Sequence, residues 1–439
     1  MLTVTHRSVR LVAAIGVVIV LAFVSLLGFE IDSIGWRESL EQNINYVSRG
    51  DGTTKLLVTV QLASIKAWHF ENFFFESWEL VVANNPAMEC DRVNRGNRAR
   101  HKDRKDGAKR QKVQIVDLLI ACEPDSCKSV PLRCQHWDEN TPFRRQGDVS
   151  QCFYLEYYDP TIKYRFAHSI NYLASSTFNS FVKKGEYDYV MRTDADTVLF
   201  PGIRYFVPRG DGIFGAGFSG TEFTFEALHY VAENTLGING LELRIKSLQS
   251  TFTLRASVFK AYAEKLVALT ETLNENAFSK KVCNEITLLP IVSKQNISTA
   301  KSLCRWPYWH QGVSTLYATA LAANVVLDEP ALTGRLDLLA TPRTELHAVS
   351  KNAATTIQAH LLMDKHAFNV MLHNMTHLCK DSAQVAKDLK LSGNSRIKFL
   401  DSLIEFGSPE PPHCDMAPRR YIGNIINSNI ERHCNAFDK

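Results

Sequence analysis

Apolar residues fall along this chain in two rhythms. Leu56–Leu62 (LLVTVQL) and Val113–Cys122 (VQIVDLLIAC) are short, nearly continuous apolar runs, the pattern of strands covered on both faces. Tyr187–Met191 is a third run of this kind. Other segments follow the helical period. Phe166, Ile170, Leu173, Thr177 and Phe181 recur at steps of three and four, predicting one amphipathic helix over Tyr164–Lys184. Lys183 and Lys184 suit its last turn, and Gly185 lies just beyond as a stop. Val258, Tyr262, Leu266, Leu269 and Leu273 predict a helix over Ser257–Asn276, and Val313–Asn324 predicts another that packs on the sheet. The aromatic-rich stretch ending near Trp78 also reads as helical. Strands alternating with helices specify an α/β fold: a mostly parallel central sheet flanked by helices, spanning residues 53–380. Residues 381–439, polar and containing Pro409, Pro411 and Pro412, read as a C-terminal extension.

One segment belongs to neither rhythm. Leu11–Phe29 is an uncharged apolar run about as long as a helix needs to cross a ~30 Å hydrocarbon core. Arg7 and Arg10 precede it while Glu30 and Asp32 follow, which predicts residues 1–10 as a cytoplasmic tail and a lumenal remainder. A cleaved signal peptide is the alternative, but the run exceeds the usual signal core and no small-x-small site follows. Residues 30–52 then read as a short stem. The ten cysteines include no CxxC pair, which removes the usual zinc-ribbon and thioredoxin patterns and leaves disulfides in an oxidising compartment as the expectation. Asn296 and Asn374 head glycosylation acceptor triplets.

Charge changes the picture at one place. The net charge is only +4, yet residues 92–112 hold ten Lys or Arg against two acids. The stretch has no aromatic side chain on which a base could stack, so it reads as a solvated loop insertion and not as a nucleic-acid site.

The chemistry is concentrated in Glu186–Pro201 (EYDYVMRTDADTVLFP). Asp194 and Asp196 follow an apolar strand and are expected at its carboxyl end, the edge where open α/β sheets bind ligands. Two carboxylates so close repel each other unless a cation lies between them, and Mg²⁺ or Mn²⁺ prefers such oxygen donors together with substrate phosphates.

The run YDYVMRTDADTVLFPG resembles the DxD segment of GT-A glycosyltransferases, many of them Golgi proteins with one N-terminal anchor. It is similar in particular to a set of such proteins known only as a domain of unknown function, with the pattern YDYVxRTDAD. The resemblance implies a GT-A-like, Rossmann-like fold and a single-pass type II protein of the Golgi or ER membrane. It also implies a nucleotide-sugar donor, a glycan or protein acceptor, and Mn²⁺ or Mg²⁺ as cofactor. Asp196 would be the main metal ligand, Asp194 would contact the ribose or a metal-bound water, and a distal histidine would complete the site. His347, His360, His366, His373 and His377 lie in the expected region, with His360 the first choice. Arg192 would face the diphosphate or else pair with Asp188.

Trp306, Trp309 and His310 are candidates for an acceptor platform, with core packing the alternative. Asp328 and Glu329 are possible bases, but nothing in their context marks either as catalytic.

Three rival readings remain. Asp194–Leu199 also satisfies the DxDx(T/V)(L/V) pattern of haloacid-dehalogenase-like phosphatases, in which the first Asp is a nucleophile. Against it, Arg192 and Thr193 interrupt the apolar strand and the motif lies mid-chain. Gly215–Gly220 matches GxGxxG, which would need a preceding strand to bind a dinucleotide. A membrane protein that kept the fold without turnover is the third.

Overall fold

The computed structural model describes residues 54–63, 70–82, 114–140, 142–143, 147, 149–164, 167–205, 208, 210–214, 221–244, 248, 250–294, 303–305, 308–328, 330–332, 339–340, 357–360, 420–425 and 428. The apolar run Leu11–Phe29, the stem, the basic insertion 92–112, Asn296 and Asn374 lie outside them. Among the described residues no helix is long and apolar enough to cross a membrane.

The first two apolar runs are neighbouring strands. β1 (Lys55–Leu62) pairs in parallel with β2 (Ile115–Cys122), Leu57 opposite Asp117 and Leu62 opposite Cys122. The aromatic stretch between them is a π-helical segment, Phe70–Phe75, running into α1 (Glu76–Val82). Its rings go inward, and the Trp78 indole donates to the Val116 carbonyl at 3.0 Å. β3 (Gln135–His136) and β4 (Cys152–Glu156) continue the sheet in parallel. Disulfides Cys122–Cys127 and Cys134–Cys152 staple this flank.

The single helix expected over 164–184 is divided into α2 (His168–Asn171), a 3-10 turn at Tyr172–Ala174, and α3 (Ser176–Gly185). Ser175 causes the break. Its backbone is extended and its hydroxyl accepts the Phe178 N–H, so it caps a new helix. Phe178, not Thr177, then takes the buried position. Gly185 is still helical. A Cβ there would lie 2.2 Å from the Tyr187 ring, so close packing explains the glycine, and Glu186 turns the chain with φ 52°. The Tyr187 hydroxyl and the Gln151 N–H both bond Asp117, whose buried carboxylate ties the edge of α3 to β2 and β4.

β5 (Tyr189–Thr193) lies against β1 in parallel and is buried at every position. It starts two residues later than the apolar run suggested and includes Arg192 and Thr193. After it come β6 (Thr197–Leu199), β7 (Gly212–Phe214), α4 (Glu222–Asn234), β8 (Phe252–Arg255), and α5 (Ala256–Asn276). The chain continues through α6 (Lys280–Ile286), α7 (Pro290–Lys294), α8 (Ser314–Val326), β9 (Pro330–Leu332), β10 (Leu339–Ala340) and β11 (Gln358–His360).

The main sheet has eight strands in the order β3-β4-β2-β1-β5-β8-β7-β9. It is mostly parallel, with β8 running against both of its neighbours. That reversal removes the dinucleotide reading of Gly215–Gly220. A strand and a helix do flank the segment, but β7 and β8 are antiparallel, so β7–α4–β8 is not the parallel βαβ unit that reading requires. Residues 215–220 themselves lie outside the described residues. A second, three-stranded sheet has the order β10-β11-β6.

Helices α5 and α8 cover one face. Tyr262, Leu266 and Leu273 meet Tyr317 and Leu321 in a buried layer, and Asn274 donates to Ser314 at 2.9 Å inside it. Disulfide Cys283–Cys304 closes the loop from α6 toward α8. The C-terminal extension is not wholly peripheral: a helical turn at 420–425 buries Tyr421, Ile422 and Ile425, with the Tyr421 ring 4.9 Å from that of Phe200.

Candidate metal centre

β1, β2, β4 and β5 run the same way, so Leu62, Cys122, Glu156 and Thr193 finish on one edge of the sheet. The acidic pair comes directly after Thr193. The Thr197 hydroxyl donates to the Asp194 carbonyl at 2.8 Å and closes the turn that starts β6. β6 then leaves the main sheet and pairs antiparallel with β11, with His360 opposite Thr197.

This register brings together side chains far apart in sequence. His360 Nε2 lies 3.0 Å from Asp196 Oδ1 and 3.8 Å from Asp194 Oδ2. One ligand atom from each of the three residues can be chosen so that all lie within 4.8 Å of one another. A cation with bonds of about 2.1 Å would draw them together with small side-chain movements. The two aspartates retain 18% and 11% side-chain exposure, enough to reach a ligand but too little for bulk water to screen them fully. Two oxygens and an imidazole nitrogen suit Mg²⁺, Mn²⁺ or Zn²⁺, so the donor set fits a divalent ion without choosing one.

Arg192 pairs with Asp194 and not with Asp188. Its guanidinium is 2.8 Å from Asp194 Oδ1 and also donates to the carbonyls of Ser250 and Ser169. Asp188 is engaged elsewhere, its carboxylate accepting the Lys55 N–H at 2.9 Å. The Arg192 side chain is 5% exposed: β5 is flanked by β8, and the guanidinium reaches the Ser169 carbonyl of α2. Arg192 therefore neutralises and holds Asp194 from inside. Behind it sits Tyr172, whose hydroxyl accepts from Thr59 at 3.2 Å and whose pKa burial pushes up to about 12.

On the opposite face of β5, Thr193 is a hub. Its hydroxyl donates to Gln358 Oε1 at 2.6 Å and lies 3.1 Å from the Thr251 hydroxyl and 3.4 Å from that of Thr197. Neither Thr193 nor Gln358 carries a sequence signal of a site role. Gln358 was visible only as the residue two before His360, which in a strand means the same face.

Of the acceptor-platform candidates, Trp309 belongs to the core. Trp309 is buried, donates its indole N–H to the Ala277 carbonyl at 2.9 Å, and stacks 4.6 Å from the Tyr317 ring. Its large apolar area is used in the core. His310 accepts the Gly312 N–H and caps a 3-10 turn at Gln311–Val313. Trp306 and Glu329 lie outside the described residues, as do His347, His366, His373 and His377. Asp328 is exposed just before β9, the edge strand of the far flank, while its carbonyl accepts from Arg244. The objection that Arg192 and Thr193 interrupt the strand before Asp194 also falls, since both are part of β5.

No curated protein matches this sequence. A family described as a domain of unknown function (DUF7164) matches residues 54–399, which takes in every strand of both sheets and all three residues of the site. With most of its length covered by that match, the chain belongs to the DUF7164 family.

Proposed function

We propose that this protein is a metal-dependent glycosyltransferase of the GT-A type, which moves a sugar from a nucleoside-diphosphate sugar to a glycan or protein acceptor. The observation that carries the reading is the meeting of Asp194, Asp196 and His360 at the carboxyl edge of the parallel strands. It joins the acidic motif to a histidine 164 residues away. Mn²⁺ or Mg²⁺, when bound, supplies positive charge to the departing diphosphate. The chain's own residues do the rest. Asp196 and His360 would hold the ion, and Asp194 would face the nucleotide through the oxygen that Arg192 does not take. Arg192 would act by fixing Asp194, with which its buried guanidinium is already ion-paired.

In the phosphatase reading Asp194 attacks phosphorus. One of its oxygens is already ion-paired with Arg192 and the other faces His360, an arrangement that suits a ligand better than a nucleophile. The membrane setting is part of the proposal. Three disulfides support an oxidising compartment, consistent with a type II protein of the Golgi or ER whose anchor is Leu11–Phe29.

The test is thermal stabilisation by UDP, GDP and CMP, each with and without Mn²⁺. One nucleotide should raise the melting temperature only when Mn²⁺ is present, and Asp196→Ala should abolish that rise while remaining folded. Equal Mn²⁺-nucleotide binding by parent and variant would show the site to be wrongly assigned.

A further inference from the structure

Resting on the metal-centre reading, we infer that Gln358 is a positioning residue: its bond to Thr193 docks β11 on β5 and so sets His360 over the aspartate pair. The aspartates come from the turn that follows β5 in the main sheet, and the histidine from the small sheet, so ligand geometry depends on how the two sheets are joined. Gln358 and His360 are two apart on β11 and share a face. Across from them, Leu199 faces Gln358 and Thr197 faces His360. The Thr193 hydroxyl reaches Gln358 Oε1 at 2.6 Å, so the strand that leads into Asp194 grips the strand that ends in His360.

The amide is a poor choice for stability alone. Gln358 is fully buried and its Nε2 has no hydrogen-bond partner among the described residues, a cost that an apolar side chain of the same size would avoid. Thr193 would not be stranded by that replacement, because the hydroxyls of Thr251 and Thr197 remain within reach. The amide is retained at a site where it weakens packing and fixes a direction. Groups that orient a metal ligand from behind commonly change metal affinity by about 10–100-fold when removed.

The experiment titrates Mn²⁺ alone into the full chain by calorimetry, beside a thermal melt of each variant. Gln358→Leu should bind Mn²⁺ about 10-fold more weakly with its melting temperature unchanged or raised. Thr193→Val should reproduce the loss, and Thr193→Ser, which keeps the hydroxyl, should restore parent affinity. In a His360→Ala background, Gln358→Leu should cost nothing further. If Gln358→Leu does not fold, Thr193→Val carries the test. Parent-like affinity in Gln358→Leu or in Thr193→Val overturns the inference and leaves the metal centre standing. An equal loss with and without His360 does the same. A parent chain that binds no Mn²⁺ overturns both.

Discussion

The helix layer of α5 and α8 and the acidic edge at β5 and β11 treat buried polar groups in opposite ways. In the helix layer such groups have partners: Tyr262 donates to the Thr319 carbonyl, Trp309 to Ala277, and Asn274 to Ser314. At the edge, two carboxylates are crowded together, and Arg192 Nε and Gln358 Nε2 are buried without partners among the described residues. Burying an unpaired polar group costs roughly 1–3 kcal/mol, and like charges in low dielectric cost more as they approach. Stability is therefore produced in the layer and spent at the edge, which is the expected division when one region must receive a ligand.

Damage to the helix layer should have the largest effect. Trp309→Ala removes a fully buried ring stacked on Tyr317 and should cost about 3–5 kcal/mol. Denaturant unfolding would show the loss, while the folded fraction should keep its Mn²⁺ affinity. A matching fall in affinity would mean that the two regions are not separable.

Next in size is Arg192→Met, which leaves the Asp194 carboxylate without its buried cation. Breaking such a pair costs up to about 3–5 kcal/mol, less here because Asp194 is partly exposed. Adding Asp194→Asn should recover part of the lost melting temperature by removing the stranded charge. No recovery would count against the ion pair as the cause.

The smallest effect is alkaline. Burial raises Tyr172 and Tyr317 to about 12, against about 10 for an unfolded tyrosine. The folded state then holds protons that the unfolded state releases, so this stability is complete below about pH 10 and declines as pH rises toward 12. Tyr172→Phe should lose less melting temperature than the parent between those limits, as a series of melts would measure.

How legible each region was follows from how local its cause is. β1, β2 and α5 were readable to within a few residues, because continuous or 3.6-periodic apolar runs determine them at short range. β4 and β8 were missed, being short strands whose identity depends on a neighbour. The 164–184 helix was misjudged because periodicity does not register a serine cap in mid-run. Tyr421-Ile422 was an apolar signal lost in a polar tail.

By itself the sequence determined the α/β alternation, the main strands, and two carboxylates at a strand end, all matters of neighbouring residues. Tertiary structure decided that His360 meets them, which acid Arg192 serves, and that Trp309 is core. Those outcomes depend on the antiparallel register of β6 with β11 and on packing between sheets. No short-range pattern encodes them, because the energies that bring His360 to the aspartates arise only when distant strands meet.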